Sequence, residues 1–152
     1  MKVLMVCLGN ICRSPMADGL LRKKVADNRL AVEVDSAGTS NFHIGEAPDQ
    51  RMRETARQFG YPIDSLSARQ FVVSDYDEFD LIYAMDTSNY DNMIRLARNS
   101  DDKQKVKLIL NELHPGEDLN VPDPYYGGEQ GFVDVFTMLD QATDIILEKL
   151  KN

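Results

Sequence analysis

Cys7 and Arg13, five residues between them in "VCLGNICRSPMA" (Val6 to Ala17), form the pair in this chain best suited to chemistry. An ionised thiol is a nucleophile, and a guanidinium fork can grip two oxygens of a phosphate. The run Val3-Leu4-Met5-Val6 reads as a strand leading into the thiol, and Pro15 suits the first turn of a helix that follows. A strand, a tight turn eased by Gly9 and a helix capped by Ser14-Pro15 would curl the backbone N–H groups of Leu8, Gly9, Asn10, Ile11, Cys12, Arg13 and Ser14 around one point. Such a nest binds anions, and the helix N-terminus adds partial positive charge. Thiols so placed ionise with pKa values of roughly 3.5–7.5 instead of about 8.5. The loop therefore predicts Cys7 as a thiolate nucleophile with phosphorus held in line. No Gly-Lys-Ser/Thr follows, which excludes a Walker-type phosphate loop. Taken singly, these residues mean less, since a cysteine at a strand end is commonly a small buried hydrophobe and Ser14 a helix cap.

A second chemical candidate lies far along the chain. Pro122 and Pro124 flank Asp123 and bias it toward extended backbone, so its carboxyl could be held at fixed reach over the nest. An Asp-Pro pair alone is a turn signal. Beside a Cys-x5-Arg loop it becomes a proton donor able to serve a leaving oxygen.

The elements that must position these groups alternate. Strand-like runs occur at 3–6, 81–84 and 106–109, with a weaker one at 31–34. From Pro15, Met16, Ala17, Leu20 and Leu21 recur a turn apart, with Arg22, Lys23 and Lys24 expected on the remaining surface. A second helix starts near Pro48, turns Met52, Thr55, Ala56 and Phe59 to one face and stops at Gly60 and Pro62. A third begins near Thr87 or Ser88 and points Met93, Ile94 and Ala97 inward; the last carries Phe132, Val135, Phe136, Leu139, Ala142, Ile146 and Leu150 at helical spacing. "ARNSDDKQK" reads as a polar connection and 114–131 as a long loop of the kind that often carries function. Strands alternating with helices predict an α/β domain with a parallel sheet, whose ligands bind beyond the carboxyl ends of the strands, where Cys7 falls.

The 152 residues fit one domain, 1–152, and 43% hydrophobic with 28% charged residues is ordinary for a folded chain. The balance of 25 acidic to 17 basic residues, net charge −8, argues against nucleic-acid or anionic-membrane partners. No long apolar run suggests a membrane span, and Met1-Lys2-Val3 leads into a strand and not a signal peptide, so a cytoplasmic protein with reduced thiols is expected. No His/Asp/Glu cluster has metal-ligand spacing, so no metal or cofactor is expected, and His43 and His114 read as surface or packing residues.

With "VCLGNICRSPMA", "DSAGTS", "YAMDTSN" and "VPDPYYGG" in order, the chain resembles the low-molecular-weight protein tyrosine phosphatase family over essentially its whole length. The resemblance implies a four-stranded parallel sheet of order 2-1-3-4 flanked on both faces by helices, acting on phosphotyrosine-containing proteins as a monomer or weak dimer. By this similarity Cys7 is the nucleophile, Arg13 the phosphate clamp, Asp123 the general acid and Ser14 a hydroxyl donor to the thiolate. Asn10 would hold an unusual backbone conformation through bonds to the loop bearing Ser36. Tyr125 and Tyr126 would wall a slot for an aromatic ring with Phe42 opposite and Ile11 below, and Cys12 would form a protective disulfide with Cys7. One position departs: many members carry a histidine before "ARQ" that supports this network, whereas this chain has Leu66, so another donor is expected there, with Ser67 a candidate.

Three other readings compete. Thiol-dependent arsenate reductases of this fold relay electrons through further cysteines, and this chain has two in all. Protein arginine phosphatases typically have threonine where this chain has Ile11, whose branched apolar side chain would crowd a guanidinium phosphate but accept a flat ring. A non-catalytic phosphate-binding module would have no use for Cys7 and Asp123 together.

Overall fold

The computed structural model describes residues 1–124 and 128–152. Four strands, β1 (Lys2–Cys7), β2 (Glu33–Gly38), β3 (Leu81–Ala84) and β4 (Val106–Leu108), form one sheet in the order β2-β1-β3-β4, every pair parallel. Among the described residues six helices connect and cover them: α1 (Arg13–Asp27), α2 (Gln50–Gln58), α3 (Asp75–Glu78), α4 (Thr87–Arg95), α5 (Ser100–Lys105) and α6 (Gly128–Leu150), with a 3₁₀ turn at Ile109–Glu112.

The period-two geometry of a strand divides the core into two layers. In β1, Val3 and Met5 face a cluster built with Met16, Leu20 and Leu21 of α1 and Phe132, Val135 and Leu139 of α6. Leu4 and Val6 face the other side, with Tyr76 of α3, Phe79, Ile82 and Met93 of α4. The 3–4 residue spacing along α6 thus becomes one buried face, and full burial of each large side chain contributes about 1.5–3 kcal/mol. Helix α1 is buried almost all round between sheet and α6. Gly19 permits this, since a Cβ there would lie 2.4 Å from Ile63 Cγ2.

Five expectations about the elements need correction. The second strand begins at Glu33 and runs through Asp35, Ser36, Ala37 and Gly38, so "DSAG" lies within it. Its pairing with β1 outweighs the weak hydrophobicity of those residues. Helix α1 starts at Arg13, with Cys12 at its N-cap position, so Ser14 is no cap and its hydroxyl is used elsewhere. Lys24 is buried and bonds to α6. The polar connection contains α5, capped by the Asn99 side chain on Asp102 N. Phe59, placed on the inner face of α2, is its C-cap and half exposed, with its ring stacked 4.4 Å from Phe136.

Candidate active site

The loop from Cys7 to Ser14 joins β1 to α1 at the carboxyl edge of the sheet. Its carbonyls are turned outward: Cys7 O accepts from Thr39 N, Leu8 O from Ser40 N and Ile11 O from Asp49 N, at 2.8–2.9 Å. The Asn10 amide points inward, 3.3 Å from Cys7 Sγ. Asn10 adopts a left-handed conformation, φ +58°, which asparagine tolerates better than most residues. Its side chain offsets the strain, donating from Nδ2 to Ser14 Oγ (2.8 Å) and Ser36 Oγ (3.0 Å) and accepting at Oδ1 from Arg69 N (3.0 Å). Ser14 Oγ lies 3.0 Å from Cys7 Sγ. Gly38 closes the loop from outside, since a Cβ there would meet Leu8 O at 2.6 Å and Asn10 N at 3.0 Å.

Cys7 is only 3% exposed, yet it lines a cavity of about 320 Å³ together with Leu8, Gly9, Ile11, Cys12, Arg13, Ser40, Phe42, His43 and Asp123. Phe42 stands out at the rim, 77% exposed, while Ile11 is half buried. Arg13 donates through Nη1 to Asp86 Oδ2 (2.7 Å) and Val121 O (3.0 Å). Burial opposes its charge, but Cys7, Asp86 and Asp123 outweigh that and hold its pKa above the ordinary arginine value. Val121 N in turn bonds Met85 O at the end of β3, and Asn120 Oδ1 accepts from Thr87 N. These bonds pin the chain two residues before Asp123, an exposed carboxylate that interacts electrostatically with both Arg13 and Cys12. Both cysteines are free thiols; burial, then Asp49, Cys7 and Asp123, push the Cys12 thiol far up, so it stays protonated.

A family profile described as "Low molecular weight phosphotyrosine protein phosphatase" matches residues 2–152. The low molecular weight protein-tyrosine-phosphatase of Streptomyces coelicolor is 42% identical over 154 residues, spanning 99% of this chain and 93% of its own. A crystal structure of protein tyrosine phosphatase from Entamoeba histolytica with Hepes in the active site superposes at TM-score 0.92 with 40% identity, covering 99% of this chain and 97% of that one. A drosophila arginine phosphatase superposes at 0.91 with 31% identity, over 100% and 99%. This chain belongs to the low molecular weight phosphotyrosine protein phosphatase family.

In this phosphatase, then, the loop residues 7–14, Ser36, Phe42 and Asp123 converge on one cavity or its supports. Tyr125 and Tyr126, expected to wall it, lie outside the described residues. The expectation that Ser67 replaces the family histidine is overturned. Ser67 is exposed and Leu66 packs against the core, while the open acceptor of Asn10 is filled by a backbone donor, Arg69 N. The Arg69 side chain is itself fixed by a two-pronged bond to Asp75 and a third to Asp35.

Sequence reasoning missed Asp86, Ser40 and the place of His43. Asp86 follows β3, and its position at the same sheet edge as Cys7 was the available signal. His43 is at the cavity mouth, its ring beside Gly9 and Nδ1 2.6 Å from Glu46 Oε2. Among the described residues no group of three or more His, Cys, Asp or Glu side chains is placed to hold a metal ion, and no helix is long and apolar enough to cross a membrane.

Proposed function

We propose that this phosphatase hydrolyses phosphotyrosine in proteins through a phosphocysteine intermediate. The observation that carries the reading is one sulfur at the floor of the cavity, bonded by the Asn10 amide and close to the Ser14 hydroxyl, with Arg13 and Asp123 on the same cavity wall. In the first displacement Cys7 Sγ forms a bond to phosphorus as the phosphorus–phenolate bond breaks, and Asp123 delivers its proton to the departing oxygen. In the second, ionised Asp123 takes a proton from water, the water oxygen attacks phosphorus, the S–P bond breaks and inorganic phosphate leaves. Arg13 and the loop amides carry the charge of the equatorial oxygens in both steps.

The relatives named for tyrosine phosphatase activity and the apolar wall of Ile11 and Phe42 favour a flat aromatic leaving group. A second reading, arginine phosphatase, draws on the likeness to the drosophila enzyme. Ile11 weighs against it, because its branched side chain crowds a guanidinium. Purified protein offered phosphotyrosine, phosphoarginine and phosphoserine peptides, without added metal, decides between them. Phosphotyrosine is expected to be cleaved fastest, and Cys7→Ser to abolish turnover while retaining phosphate binding; hydrolysis surviving that substitution would remove the covalent mechanism.

The same reading extends to regulation and setting. Peroxide would convert the Cys7 sulfur to a sulfenic acid with release of water, and the Cys12 thiol would displace a second water to leave a Cys7–Cys12 disulfide. Peptide mapping after peroxide treatment tests this, and a Cys7 sulfinic acid with free Cys12 would refute it. A single phosphatase domain over 1–152, working in the cytoplasm as a monomer or weak dimer without nucleic-acid or membrane partners, fits the net charge of −8.

A further inference from the structure

A second cavity, of about 440 Å³, opens beside the catalytic one, and the two share Ile11 and His43 as a common wall. Its other sides include Glu46, Pro48 and Asp49, on the chain leading into α2, and Arg53 on that helix. The protein itself fixes these walls. His43 O accepts from Glu46 N at 2.9 Å across a turn in which Gly45 takes φ +84°, and two backbone bonds of 2.8 Å hold the turn to Ala68. His43 Nδ1 lies 2.6 Å from Glu46 Oε2, and its ring carbon Cδ2 lies against Gly9. Asp49 N donates to Ile11 O at 2.8 Å, so the start of α2 is tied directly to the catalytic loop.

What this cavity can bind depends on which of its charged groups are already engaged. Asp49 is held by Arg51, its Oδ1 accepting from the backbone N and from Nε and its Oδ2 from Nη2, at 2.8–3.2 Å. Glu46 is paired with His43. Arg53 differs from both. Its Nε donates to Pro48 O at 2.9 Å, which orients the fork, while Asp64, 3.8 Å from Nη1, already accepts three bonds from Arg57. The four hydrogens on Nη1 and Nη2 therefore meet no hydrogen-bond partner among the described residues. A guanidinium oriented through one nitrogen and open at the other two suits an oxyanion that accepts in pairs. We propose that this cavity is a substrate subsite: it takes an acidic side chain within two residues of the phosphotyrosine, the carboxylate bonding Arg53 while the phosphate lies over Cys7. An extended peptide advances about 3.3–3.6 Å per residue, so side chains close in sequence reach cavities that share a wall.

This rests on phosphotyrosine peptides being the substrates, and affinity measured without turnover lets the two ideas fail separately. Cys7→Ser is titrated with phosphotyrosine peptides that carry Glu, Gln or Lys in turn at each position within two residues of the phosphotyrosine. The titrations are repeated with Arg53→Gln and with Arg53→Glu added. At one position Glu is expected to bind about three- to tenfold more tightly than Gln, the range for a partly exposed charged pair. That preference should vanish in Arg53→Gln and turn against Glu in Arg53→Glu. Each variant is judged by its Glu-to-Gln ratio, so a general loss of affinity does not enter. If Arg53→Gln does not fold, Arg53→Met, which keeps the stem without the charge, is read in its place with the same expectation. No preference at any position, a preference for Lys, or a Glu preference that persists in Arg53→Gln would each overturn the proposal. Peptides bound with the expected preference but left uncleaved by the wild type would instead uphold the subsite and remove the reading of the reaction.

Discussion

Arg13 and Lys24 sit at opposite ends of α1, both nearly buried, at 4% and 7% exposure, and both paired with carboxylates. They are paired very differently. The three hydrogens of the Lys24 ammonium meet Asp140 O and Oδ1, Thr143 Oγ1 and Asp144 Oδ1, all within 2.9 Å. Nothing is left over, and the cluster ties α1 to α6. Arg13 has five hydrogens, and its hydrogen bonds to the described residues both use Nη1. Nε and Nη2 keep three donors for an incoming oxyanion, in a cavity that also holds Cys7. A buried cation saturated by the protein is a structural tie, whereas one paired on a single nitrogen is oriented and still available.

The largest effect that could break this comparison comes from Arg13→Lys. An ammonium keeps the charge but loses the fork, and kcat/KM should fall by about 10²–10³. Inorganic phosphate, which should raise the melting temperature of the wild type by binding the folded state, should cease to do so in the variant. Unchanged turnover would mean the open donors of Arg13 do not meet phosphate. Gly38→Ala comes next, because its methyl would press on Leu8 O and Asn10 N from the far side of the loop. Overpacking costs about 1–3 kcal/mol, and a displacement of the order of 1 Å at reacting groups lowers turnover about a hundredfold. Urea melts alongside kcat would show whether both fall together; a variant with wild-type values would show that β2 does not fix the loop. Asp86→Asn is milder, since the amide oxygen can still accept from Nη1 but without charge. A loss of about tenfold is expected, carried by kcat/KM, and an effect as large as that of Arg13→Lys would instead make Asp86 a participant in the chemistry.

Why one of these cations was legible in the sequence and the other was not follows from how each is specified. Arg13 is fixed by neighbours within seven residues, Cys7, Gly9, Asn10 and Pro15, so local spacing was enough to place it at an anion site. The parallel sheet and the burial of α6 were similarly accessible, because hydrophobic period and strand–helix alternation are local signals, whereas the strand order was implied only by the family resemblance. Lys24 looked like surface because its partners lie 116 to 120 residues away on α6, and no pattern around it announces them. The same reason hid Asp86 from Arg13 and Arg69 N from Asn10. The Ser14 cap failed differently: the residue type was right for a cap, but the hydroxyl is drawn to Cys7 and Asn10 by tertiary contacts that propensity does not see.

Lys24→Met carries the smallest expected effect on the reaction and the sharpest test of the contrast. Methionine keeps most of the stem volume and deletes the charge, leaving Asp140 and Asp144 without their cation. Their side chains are 38% and 64% exposed, so water recovers much of what the ammonium supplied, and the cost is set chiefly by the Thr143 hydroxyl, which still bonds Leu139 O, and by the lost tie between helices. A loss of about 1–3 kcal/mol is expected, a fall in melting temperature of about 3–10 °C for a chain of this size. Per folded molecule, kcat, KM and phosphate inhibition should match the wild type, because no atom of the cluster reaches the cavity. A variant with normal stability would show that saturation adds nothing to the fold. One with normal stability but depressed kcat would place Lys24 with Arg13, as a cation on which turnover depends.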